Sequence, residues 1–119
     1  MARSLLMVSR RAPWSGLGAR EALDIVLAGG AYELPVAMLF MDDGVLQLVK
    51  GQAPQLLEQK NLGANLQALP LFGIEALFVC GASLAERGLS AEHLALDARI
   101  MQASDLAMLF NQYNEVITL

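Results

Sequence analysis

The eight residues from Leu34 to Met41, Leu-Pro-Val-Ala-Met-Leu-Phe-Met, carry no charged or hydrogen-bonding side chain. A strand with one wet face alternates apolar and polar residues, whereas a strand covered on both faces reads as a continuous apolar run. Eight residues is strand length and far below the roughly 20 that a membrane-spanning helix needs. The run stops at Asp42-Asp43-Gly44, so it predicts a strand that is buried on both faces.

Other short apolar runs follow the same logic. Ser4 to Ser9 stops at Arg10, Glu75 to Cys80 stops at Gly81, and Glu115 to Leu119 is the last. Arg99-Ile100-Met101 is a further short strand. Helical signals lie between them. Ala19 to Ala28 places Leu23, Val26 and Leu27 at i, i+3 and i+4, with Arg20, Glu21 and Asp24 as its wet stripe and Gly29-Gly30 as its stop. Asp42-Asp43 offers an N-cap to a helix over Val45–Val49. Gln55 to Leu71 carries Leu62, Leu66 and Leu69 at helical spacing, limited by Pro70 and Gly73. Ser83-Leu84-Ala85-Glu86 reads as a capping box that starts a short helix, which Gly88 stops. Ser104-Asp105 caps a helix with Leu106, Leu109, Phe110 and Tyr113 on one face.

Strands alternating with helices five times imply right-handed crossovers, a mainly parallel five-stranded sheet and helices on both faces. The expected fold is therefore α/β. No linker, repeat or low-complexity tract divides residues 1–119, so one domain is expected.

Composition enters here because 55% of the 119 residues are hydrophobic and only 17% charged. Typical domains have about 45–50% apolar and about 25% charged residues. Disorder is excluded by this balance, and the formal net charge of −4 opposes bulk binding to nucleic-acid phosphate. A single Cys removes a disulfide framework, and with no recognisable export signal it points to the cytoplasm. A monomer of this mass exposes roughly 6,300 Å². Obligate interfaces bury about 2,000 Å² or more in total, so a partner-covered surface accounts for the shortage of charge. On its own, the chain is expected to behave poorly.

Open parallel sheets bind ligands beyond the C-terminal ends of their strands, which points to Ser9–Gly18, Met41–Gly44 and Cys80–Ser83. The first loop lacks G-x-G-x-x-G and a Walker lysine, so no nucleotide cofactor is expected. Cys80 ends a strand just before a helix, a setting that favours a thiolate able to accept a sulfane sulfur as a persulfide. The competing reading is a small buried hydrophobe. Asp42 and Asp43 suit a divalent cation or, more commonly, a cap and turn. His93, the single His, reads as a surface residue, which argues against a His-dependent triad or zinc site. Trp14 is either a partner anchor or a cover for the core edge. The six Met read as packing filler. Arg10, Arg11 and Arg20 form at most a small basic spot near the strand ends.

Five stretches together resemble the TusC/DsrF branch of the DsrE/DsrF-like sulfur-relay family. They are Leu5–Ser9 with Pro13, Gly18–Asp24, Phe40–Leu48 with Gly51-Gln52-Ala53-Pro54, Val79–Leu89, and Tyr113–Ile117. The specific parts are D-G-V-x-Q-L…G-Q-x-P and C-x-A-S-L-x-x-R-G-L; the rest is a general α/β pattern. The resemblance implies a small cytoplasmic subunit that sits with TusB/DsrH-like and TusD/DsrE-like sisters in a heterohexamer holding two copies of each. Such a complex passes persulfide sulfur, received from carrier proteins, toward 2-thiolation of the tRNA wobble uridine. The Dsr relatives use a similar assembly in sulfur oxidation. In this family the sulfur-carrying Cys belongs to the D sister, so the resemblance implies a structural, non-catalytic role for this subunit. Cys80 matches the motif position and is the one candidate sulfur acceptor.

Overall fold

The computed structural model describes residues 4–12, 18–31, 35–49, 66–74, 76–95 and 97–119. Five parallel strands form its centre: β1 (Leu5–Ser9), β2 (Val36–Phe40), β3 (Ala76–Cys80), β4 (Arg99–Met101) and β5 (Glu115–Thr118), in the order β4-β3-β2-β1-β5. In register, Met7 lies beside Met38 on one side and Ile117 on the other, and Cys80 lies beside Met101. The apolar run that ends at Met41 supplies the strand β2, which lies between β1 and β3. All five residues of β2 are buried, as an apolar run without alternation requires.

The two faces of the sheet hold separate apolar clusters. On one face Met7, Val36, Met38, Phe40, Leu77 and Val79 pack against α1 (Gly18–Ala31) through Ala22, Leu23 and Val26. On the other, Leu6, Val8, Ala37 and Leu39 pack against α3 (Ala103–Asn111) through Leu109, with Leu106, Phe110 and Tyr113 alongside. Burying each large apolar side chain contributes about 1.5–3 kcal/mol. Helices on both faces of a parallel sheet therefore match the expected α/β architecture.

Several helix boundaries differ from expectation, each for a local reason. α1 continues through Gly29-Gly30 to Ala31. Gly29 is buried, and a Cβ there would come within 2.8 Å of the Val36 side chain, so this glycine permits close packing and does not end the helix. The segment after β2 is a 3₁₀ helix, Asp42–Leu48, with Met41 at its N-cap and no side-chain cap. α2 (Gly81–Glu86) begins two residues before Ser83, with Cys80 at its N-cap position. Ser83 is thus inside the helix, and the expected capping box does not form. α3 likewise starts ahead of Ser104, because Gln102 O accepts the N–H groups of Asp105 and Leu106.

Other signals hold. Gly88, at φ +67°, ends α2 with the paired bonds Leu89 N–H to Leu84 O and Gly88 N–H to Ala85 O. Pro70 opens a 3₁₀ turn at Leu69–Phe72, and Gly73, at φ +83°, closes it. Leu66 and Leu69 are buried as the helical spacing required, while residues 55–65 of that expected helix lie outside the described residues. Among the described residues, no helix is long and apolar enough to cross a membrane.

Candidate functional site

β1 has β2 on one side and β5 on the other, so the strand order reverses at β1. A crevice beyond the C-terminal strand ends is expected at such a switch point. A cleft of about 750 Å³ lies there, lined by Arg10, Arg11, Ala12, Gly18, Glu21, Asp42, Asp43, Thr118 and Leu119. Arg10 and Arg11 extend β1, Asp42 and Asp43 follow β2, and Thr118 and Leu119 end β5.

The turn after β2 is held from three directions. Asp42 has φ +51°, a backbone conformation that Asp tolerates better than most residues. Its N–H donates to Ser83 Oγ of α2 at 2.8 Å, and its carboxylate accepts Arg10 Nε at 2.6 Å. Asp43 Oδ1 accepts both Nε and Nη2 of Arg87, at 3.2 and 2.9 Å. These contacts tie together the ends of β1, β2 and α2. The Asp43 hydrogen bond is the main reason the Arg87 guanidinium is held above its ordinary pKa.

Beneath this turn lies a buried polar pair. Gln47 Nε2 donates to Ser9 Oγ at 2.7 Å and to the Arg11 carbonyl at 2.9 Å, while the buried Gln47 Oε1 has no hydrogen-bond partner among the described residues. Gly44 is essential to this geometry, since a Cβ there would overlap the Ser9 carbonyl oxygen.

The residues singled out in the sequence are therefore spread over several environments. Asp42 and Asp43 reach the strand-end cleft, but their carboxylates engage arginines, and the described residues contain no cluster of three or more His, Cys, Asp or Glu suited to a metal. Arg10 and Arg11 line the cleft. Arg20 is not among the residues lining the cleft, and it pairs with Asp24 one helical turn on. His93 is exposed and makes a local cap, its Nδ1 accepting the Ser90 N–H at 3.0 Å. Trp14 lies outside the described residues.

Cys80 is a free thiol, 4% exposed, and is not among the residues lining the cleft. Its register neighbour Met101 belongs to the apolar cluster under α3. Sequence reasoning missed Arg87 as the partner of Asp43, because 44 residues separate them. Gln47 was missed as well, although it is the one polar residue in Val45–Val49.

A parallel sheet ordered β4-β3-β2-β1-β5, with a polar cleft at its switch point and a cysteine closing β3, defines the class. The chain belongs to the DsrE/DsrF-like family, whose profile matches residues 3–119. It is 57% identical over 119 residues to "Protein TusC homolog" of Pseudomonas aeruginosa, covering 100% of both chains. A "Protein TusC homolog" of Vibrio parahaemolyticus is 33% identical over 114 residues, covering 96% of this chain and 97% of its own. Among solved structures, the ychN protein of E. coli superposes over 100% of both chains with a TM-score of 0.80 at 20% identity. A protein of unknown function from Methanobacterium thermoautotrophicum does so with a TM-score of 0.63 at 9% identity. Both structures show the shared fold.

Proposed function

We infer that this protein is a structural subunit of a cytoplasmic sulfur-relay complex, assembled with TusB-like and TusD-like sisters into a heterohexamer. The complex moves persulfide sulfur toward 2-thiolation of the tRNA wobble uridine. The observation that carries this reading is full-length similarity to TusC homologs, at 57% identity over all 119 residues in one case. The enclosed Cys80 thiol is in keeping with a subunit that shapes the complex while a sister carries the sulfur. Co-expression with the two sister proteins, followed by native mass spectrometry, tests the assembly. A two-of-each hexamer is expected, and a chain that stays apart from both sisters overturns the reading.

A second reading rests on where Cys80 stands, at the C-terminal end of β3, where sheets of this type place reactive groups. In it, the Cys80 thiolate attacks the outer sulfur of a persulfide donor, forms Cys80–S–SH and releases the donor thiolate. Mass spectrometry after incubation with such a donor separates the two readings. No added sulfur on Cys80, and sulfur transfer by the complex unchanged in Cys80→Ser, are the outcomes expected for the structural subunit.

A further inference from the structure

We draw no further inference here: the strongest candidate, the apolar cleft of about 430 Å³ lined by Phe110 of α3, Val116 of β5, Val8 and Met41, carries nothing because nothing in the structure shows what covers it.

Discussion

The Ser83 hydroxyl on α2 accepts the backbone N–H of Asp42 at 2.8 Å, joining the turn after β2 to a helix 41 residues further along the chain. Ser83 is 4% exposed, so water does not readily replace it. Removing one partner of a buried hydrogen bond costs about 1–3 kcal/mol. Ser83→Ala is expected to lower stability by about that amount, measured by urea unfolding. Ser104→Ala, at an exposed position where no side-chain cap forms, is expected to change stability by less than about 0.5 kcal/mol.

Gly44 and Gly73 are both glycines beside turns, yet they should respond differently to alanine. At Gly44 the added methyl meets the Ser9 carbonyl oxygen, and that oxygen belongs to a strand end that cannot give way. At Gly73 no described residue lies within 4 Å of an added methyl, and the positive φ opposes a side chain. Gly73→Ala should cost about 1–2 kcal/mol. Gly44→Ala should cost about 4 kcal/mol or more, seen as a far lower melting temperature or loss of folded protein.

Gln47 supplies a test of charge at the same place. Its Nε2 serves two oxygens, Ser9 Oγ and the Arg11 carbonyl. Gln47→Glu replaces that donor with an oxygen, and burial disfavours the ionised carboxylate. Its folded pKa then lies above the unfolded one, so the variant loses stability as pH rises above about 4.3. Thermal melts between pH 4 and 8 are expected to diverge steadily from the wild type.

Tyr113 packs against the cluster beneath α3, and burial pushes its phenol above the ordinary value of 10.0. The neutral phenol is thus favoured in the folded state. The associated stability is fully present below pH 10 and falls as pH rises from there through the folded pKa. Ultraviolet titration should show a tyrosinate component above 10, and Tyr113→Phe should remove it.

The Arg87–Asp43 pair should matter less than its geometry suggests. The side chains are 23% and 62% exposed, and pairs open to water contribute about 0.2–1 kcal/mol. A double-mutant cycle with Arg87→Met and Asp43→Asn is expected to give a coupling in that range, weakened by salt.

The sequence by itself determined the strands, because uninterrupted apolar runs such as Val36–Phe40 have no polar residue to present to water and must be covered on both faces. It also determined which residues of α3 face the sheet, through the spacing of Leu106, Leu109 and Phe110. Helix starts were less legible. Ser83 and Ser104 carry capping chemistry, but a hydroxyl binds whatever donor the tertiary structure brings near, and at Ser83 that donor is Asp42. The cleft was legible as a location, since strand ends are where such folds gather loops. Its contacts were not: Arg10 with Asp42, Arg87 with Asp43 and Gln47 with Ser9 each join residues more than 30 apart. Only the tertiary structure decided which strands stand at the edges of the sheet, β4 and β5. Edge status depends on the order of strands, and the order of strands depends on long-range pairing that local spacing does not encode.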